Sequence, residues 1–196
     1  RETSFHNGKT LEAEDVVYSL NRLKDPKVAS PGSWVVGDIA KIQTLNASSV
    51  KIILRQPNAS FLSLLAMPFC SIIPKDAEAL NTTPLGTGPF KFHVWHYGEK
   101  MVLHKNERYW RFDSAGIQLP YLDGISISFL TDQQSAFLEY LRGNFDVLPN
   151  LDPSFKDDLL TKQGRLQDRY RTAHTLVRSP FLNTEYLVFN AKRSLP

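Results

Sequence analysis

One cysteine, Cys70, stands in the 196 residues, so an internal disulfide has no second thiol and a cysteine cage for zinc has too few ligands. Its setting, Phe69-Cys70-Ser71-Ile72-Ile73, is apolar and predicts a thiol packed in a core. Long apolar runs are missing too, and none approaches the roughly 20 residues that a membrane-spanning helix needs. No basic segment followed by an apolar one opens the chain, so any secretion signal is expected to have been removed or to lie upstream. Charge of one sign is scarce: 23 basic residues are interspersed with 20 acidic ones, for a net +3. That excludes the concentrated basic footprint of a nucleic-acid binder. Also absent are a G-x-x-x-x-G-K-[ST] phosphate loop, a G-x-S-x-G elbow, an H-E-x-x-H helix and any cysteine–histidine pattern of a nucleophile. There is no internal repeat and no low-complexity tract. Without a catalytic constellation the chain reads as a binding module, not an enzyme, and no cofactor is expected.

What is present fits a packed domain. Apolar residues make up 42% and charged residues 22%, close to the averages for globular proteins, and the length suits one large domain or two small ones. Glu12, Glu14 and Asp15 follow Thr10 and put negative charge in a first helical turn, where the helix dipole favours it. Ala13, Val16, Val17, Leu20 and Leu23 recur at helical spacing until Asp25-Pro26 ends the run. Ile39 to Leu45 and Val50 to Leu54 predict a hairpin, Asn58 can cap a short helix holding Phe61 to Leu65, and Ile72-Ile73-Pro74 reads as extended. Asn81 to Gly88 is a polar, small-residue break. Beyond it, Phe90, Phe92 and Val94 alternate with Lys91, His93 and Trp95, as in a half-buried strand that turns at Tyr97-Gly98-Glu99 into Met101 to Lys105. Ile125, Ile127 and Phe129 alternate again. A helix from about Asp132 presents Ala136, Phe137, Tyr140 and Leu141 and stops at Gly143. Asp146-Val147-Leu148 reads as a short strand, Asp152-Pro153 as a helix start, and Tyr186 to Asn190 as a last strand. The sum is an α/β chain whose hairpins exclude a purely parallel sheet. Both ends read as cuts in a longer polypeptide.

Six segments, in order, resemble one family. Phe5-His6-Asn7-Gly8 with Ala13-Glu14-Asp15-Val16-Val17-Tyr18-Ser19 is similar to the opening motif of periplasmic peptide- and nickel-binding proteins. Gly86-Thr87-Gly88-Pro89-Phe90-Lys91, Lys105-Asn106-Glu107-Arg108-Tyr109-Trp110 and Pro120-Tyr121-Leu122-Asp123-Gly124 look like its next three. Leu141-Arg142-Gly143-Asn144-Phe145-Asp146 and Tyr186-Leu187-Val188-Phe189-Asn190 resemble the last two. On these residues the chain is identified as a fragment of an extracytoplasmic solute-binding protein of the oligopeptide, dipeptide and nickel ABC-importer type, family 5.

That resemblance implies a type II periplasmic-binding-protein-like fold, a mixed sheet with hairpins. Residues 1–80 would be the accessory part of lobe one and residues 81–196 the main part, with the second lobe absent from this chain. It implies capture of a peptide or similar small solute between two lobes and delivery to ABC-transporter permease subunits, with no nucleic acid and no membrane span. The expected place is the periplasm or cell envelope, with a lipid anchor ahead of Arg1. A sensor domain of a transcriptional regulator shares the fold and is the alternative. Departures from the motifs, Asn7, Glu107 and Asn144-Phe145, fall in turns and surface strands. Phe69 follows Met67-Pro68 where the nickel branch carries an arginine, which favours a peptide-like ligand over a nickel chelate.

The candidate ligand-binding residues are Trp34, Phe69, Cys70, Gly86, Thr87, Gly88, Asn183 and Tyr186. Gly86 and Gly88 would let the backbone turn sharply and approach a ligand, with Pro89 fixing the exit into a strand, although a plain junction turn has the same composition. Trp34 lies in a Ser/Pro/Gly loop and either lines a cleft or plugs its own domain. By the resemblance, Phe69 and Cys70 face the cleft edge, and Asn183 and Tyr186 stand at the strand that crosses between lobes. His93 and His96 invite a metal reading, but strand spacing would put them on opposite faces with no acidic or thiol ligand beside them. His6, His104 and His174 are isolated in the sequence.

Overall fold

Residues Ala13–Lys24 form helix α1, and its start is set by a buried carboxylate. The Asp15 Oδ2 accepts from the Glu12 N–H at 3.0 Å, so Glu12 occupies the cap position and Thr10 lies outside the helix. The run ends at Asp25, the residue before Pro26, as the sequence predicts. Strands β1 (Ile39–Asn46) and β2 (Ser49–Leu54) make an antiparallel hairpin, followed by the short helix α2 (Phe61–Leu65). Asn58 contributes without capping that helix directly: its Oδ1 accepts from the Ser60 N–H at 3.0 Å. Leu20 and Leu23 of α1 pack with Val35, Val36, Ile39, Phe61 and Cys70 into one apolar core. The thiol of Cys70 is buried there, 7% exposed, as its apolar neighbours predict.

The computed structural model describes residues 2–77, 80, 82–149 and 151–180. Strands β3 (Phe90–His96), β4 (Lys100–Lys105) and β5 (Gly124–Ser128) form a second sheet in the order β3-β4-β5. Every strand pair among the described residues is antiparallel, two of them hairpins and the third, β4 with β5, joined through residues 106–123, so of the expected mixed sheet only antiparallel pairs appear here. Gly124 sits where a Cβ would come within 2.8 Å of the Leu103 carbonyl oxygen, which accounts for a glycine at that place in the motif.

The extended run at Ile72-Ile73-Pro74 has no strand partner. Side chains of α1 hold it instead. The Ile73 N–H donates to Ser19 Oγ at 2.9 Å, and the Lys75 N–H donates to Asp15 Oδ1 at 2.9 Å.

By contacts the chain divides into two compact units, one ending at Phe129 and the other beginning at Leu130. The second contains α3 (Gln133–Leu141), α4 (Lys156–Leu159) and α5 (Asp168–Arg171). Asp132 caps α3, accepting from the Ser135 N–H at 2.8 Å, and Gly143 follows it with φ +81°. Phe137 packs against Phe155 in a tilted pair with ring centres 4.3 Å apart. Asp146-Val147-Leu148 is irregular and has no strand partner among the described residues, three apolar-flanked residues being too few to specify a strand by themselves. Asp152 accepts from the Ser154 N–H at 2.8 Å and opens a 3-10 turn, Pro153–Phe155, that runs into α4. The strand expected at Tyr186 to Asn190 lies outside the described residues.

Candidate functional site

The segment 86–89 leads into β3, and three polar groups fix its backbone. The Gly86 carbonyl accepts from the His6 N–H at 2.9 Å, and the Gly86 N–H donates to His6 Nδ1 at 3.3 Å. The Gly88 carbonyl oxygen lies 3.1 Å from His6 Nε2 and accepts from Asn106 Nδ2 at 2.9 Å. Asn106 is buried, and its own N–H donates to the Pro89 carbonyl at 2.8 Å. A loop of glycines is thereby held rigid by residues 80 and 18 positions away in sequence. With those groups engaged, the Thr87 backbone, the Thr87 hydroxyl and the Gly88 N–H have no hydrogen-bond partner among the described residues.

Neither Gly86 nor Gly88 has the left-handed φ that the turn argument anticipates. Space, not backbone conformation, distinguishes Gly88. A Cβ added there would meet nothing within 4 Å, and Gly86 would meet only the His6 ring at 3.7 Å. Both glycines line a pocket of about 670 Å³, together with His6 and an apolar wall from Phe90, Phe92, Trp95, Met101 and Leu103. Such a volume lies inside the range of roughly 300–1,000 Å³ typical of small-molecule sites.

The apolar wall differs from the sequence pattern in one way. Simple alternation puts Val94 with Phe90 and Phe92, and Trp95 opposite. The register shifts between Phe92 and Val94, leaving His93 as an extra residue, so Trp95 pairs with Met101 on the Phe92 side and Val94 with Val102 on the other. Trp95 then lies 6.4 Å from Phe129, ring centre to ring centre. The same bulge overturns the expectation that His93 and His96 take opposite faces. His93 stacks on His104 at 4.1 Å, and pairing with Lys100 puts His96 on that same polar face. No group of three histidine, cysteine or acidic side chains suited to a metal occurs among the described residues.

The remaining candidates divide into three sets. Trp34 and Phe69 lie on neighbouring 3-10 turns, Ser33–Val36 and Pro68–Cys70, with Gly32 pressed against Phe69. Trp34 is 59% exposed, so it does not plug the domain, and Phe69 is 39% exposed. Cys70 points inward, its Sγ 3.7 Å from the Leu64 carbonyl. Among the described residues no hydrogen bond or ring contact joins Trp34 or Phe69 to the loop at 86–88. Asn183 and Tyr186 lie outside the described residues.

In the sequence His6 stands isolated, and Asn106 is only one letter of a motif. The available signal was position: both sit inside segments that carry the family resemblance, and only the fold reveals that they meet at Gly88.

Burial lowers the His6 pKa from its ordinary value of 6.5, outweighing the Gly88 hydrogen bond that raises it, and Lys91 lowers it a little further.

A profile of the bacterial extracellular solute-binding proteins, family 5 (middle region), matches residues 1–195. The dipeptide-binding protein of Escherichia coli (strain K12) is 26% identical over 96% of this chain and 36% of its own length. Among solved structures, the binding protein AgaA of A. tumefaciens R10, in complex with agropinic acid, is 29% identical with a TM-score of 0.74, over 81% of this chain and 32% of that one. The periplasmic binding protein DppA of Helicobacter pylori, in complex with the peptide STSA, is 27% identical with a TM-score of 0.69, over 81% and 35%. The chain thus spans about a third of the length of these relatives, and the fold is that of the type II periplasmic binding proteins. With nearly every residue inside the family profile, this chain belongs to the bacterial extracellular solute-binding proteins of family 5.

Proposed function

We propose that this chain supplies one wall of a solute-capture cleft, in the substrate-binding component of an ABC importer, and that the captured solute is a peptide or a chemically similar small molecule. One observation carries the reading. The loop 86–88 is clamped by His6 and Asn106, while the Thr87 backbone and the Gly88 N–H have no hydrogen-bond partner among the described residues and Gly88 lines a mostly apolar pocket. Free main-chain donors and acceptors beside an apolar pocket suit an extended amide chain, whose backbone they pair while its side chains fill the pocket. The relatives named for dipeptide and peptide binding support the same class of solute. Trp34 and Phe69, exposed on adjoining turns, would supply a second aromatic contact.

In this reading residues 1–80 form the accessory part of the first lobe and residues 81–196 its main part, with the second lobe contributed by sequence outside this chain. The protein works at the periplasm or cell envelope, presents its closed form to permease subunits, and binds its solute without chemical change. Among the described residues no helix is long and apolar enough to cross a membrane. The sensor alternative has no observation in its favour.

Gly88→Val in the complete protein tests the assignment. Because a Cβ meets nothing there, the melting temperature should stay within about 1 °C of the parent. Affinity for a mixed library of short peptides, read by calorimetry, should fall at least tenfold. Unchanged affinity would make the loop an ordinary surface connection.

A further inference from the structure

The two hydrogen bonds at the His6 ring specify its protonation state. Nδ1 accepts from the Gly86 N–H, so Nδ1 carries no proton, and Nε2 faces a carbonyl oxygen, which can only accept, so Nε2 carries one. Only the neutral imidazole with its proton on Nε2 satisfies both. A second proton would have to enter at Nδ1, directly against the Gly86 N–H, and would turn an acceptor into a donor facing a donor. We propose that His6 is the positioning residue of the capture loop and that its protonation breaks the bond from the Gly86 N–H to the ring, leaving that end of the loop held only through the His6 backbone N–H, so that solute capture weakens in acid. The proposal rests on the reading of residues 86–88 as the capture surface and names a regulation of that site.

The surroundings favour the neutral ring. Lys91 of β3 is close enough to oppose a proton on it. Lys9, on the same segment, is engaged with Asp76 at 2.8 Å and lies 3.6 Å from the buried Asp15 carboxylate. The Arg108 guanidinium lies against Gly8. The loop itself offers no titratable group, and none of the other residues lining the pocket is charged. Among the described residues, then, no carboxylate compensates a charged imidazole.

The direction in pH follows by linkage. The folded pKa lies below the ordinary 6.5, so on acidification the unfolded or released chain takes up the proton first. The stabilisation is fully present above about pH 6.5 and is lost as pH falls toward the folded value, the opposite of a histidine held by a carboxylate.

Two variants separate the two bonds. In His6→Asn the side-chain oxygen stands near the former Nδ1 and still accepts from Gly86 but does not titrate. In His6→Ala neither bond remains. Nitrogen-15 NMR of the 196-residue chain should show the Nε2–H tautomer at pH 7.5 and a His6 midpoint below 6.5. Amide exchange at Gly86, corrected for its intrinsic pH dependence, should lose at least tenfold in protection between pH 7.5 and 5.0. His6→Asn should keep protection at both values, and His6→Ala should have little at either. In the complete protein, affinity for a mixed library of short peptides should fall several-fold over the same range in the parent and stay level in His6→Asn. A midpoint at or above 6.5, or pH-independent Gly86 protection, overturns the latch. Pronounced acid loss of Gly86 protection with level peptide affinity, or with no peptide binding at any pH, keeps the latch and overturns the loop as the capture surface.

Discussion

Asp15 serves two backbone segments from one carboxylate that is only 1% exposed. One oxygen takes the Glu12 N–H and so starts α1, and the other takes the Lys75 N–H and so fixes the segment that returns along the helix. Ser19, one turn on, does the same for Ile73, accepting its N–H while donating to the Asp15 carbonyl at 2.7 Å. In the sequence these are the acidic and hydroxyl letters of a motif, and the acid was legible only as helix-dipole charge. A side chain's tertiary bond to a residue 60 positions away leaves no local trace. Asp15→Ala leaves two backbone N–H groups without their acceptor and should cost roughly 2–4 kcal/mol. Ser19→Ala loses a smaller set and should cost on the order of 1 kcal/mol. Urea denaturation monitored by circular dichroism checks both, and equal midpoints for parent and Asp15→Ala would show that the staple is dispensable. Gly88 teaches the converse. Its composition suggested a special backbone angle, and the structure instead shows vacant space above an ordinary one.

At the level of elements, the regular periods in the sequence specify most of what forms. α1, the β1–β2 hairpin and the three strands of the second sheet start and stop within a residue or two of their apolar patterns, because burial of one face enforces each period. The bulge at His93 was not legible, since an alternating pattern reads equally well with or without an extra residue until the partner strand fixes the count. Its consequence reaches the candidate site: it is what carries Trp95 into the pocket wall. Deleting His93 removes the extra residue yet preserves every other pair, Val94 with Val102 and Trp95 with Met101. The deletion should therefore fold, lose the stacking on His104, and cost on the order of 1 kcal/mol. Cross-strand NOEs read the outcome. Retention of the Trp95–Met101 pair supports the bulge as drawn, and a one-residue slip that turns Trp95 to the polar face contradicts it.

Across the whole chain, buried apolar side chains are unevenly shared. Phe5, Ala13, Leu20, Leu23, Val35, Val36, Ile39, Phe61 and Cys70 are buried before Phe129, whereas after Leu130 the described residues bury only Phe137 and Leu159. The polar stretch at 81–88, where the sequence changes texture, lies within the first unit, tied there by the His6 bonds to Gly86 and Gly88. Texture reports a change of element type, and compactness depends on contacts that such a stretch can itself make. Since local opening is governed by the apolar contacts it breaks, the two units should not open together. Hydrogen exchange followed by mass spectrometry on the 196-residue chain makes the comparison directly. Amides of α1, β1 and β2 should exchange only through openings that cost roughly 2 kcal/mol or more beyond those exposing α3, α4 and α5, a difference of about thirtyfold in protection. Asp15→Ala should lower protection across α1 and β1 and leave α3 unchanged, because the lost bonds lie wholly within the first unit. Equal protection in α1 and α3, falling together in the variant, would show a single cooperative body whose stability does not follow the distribution of its core.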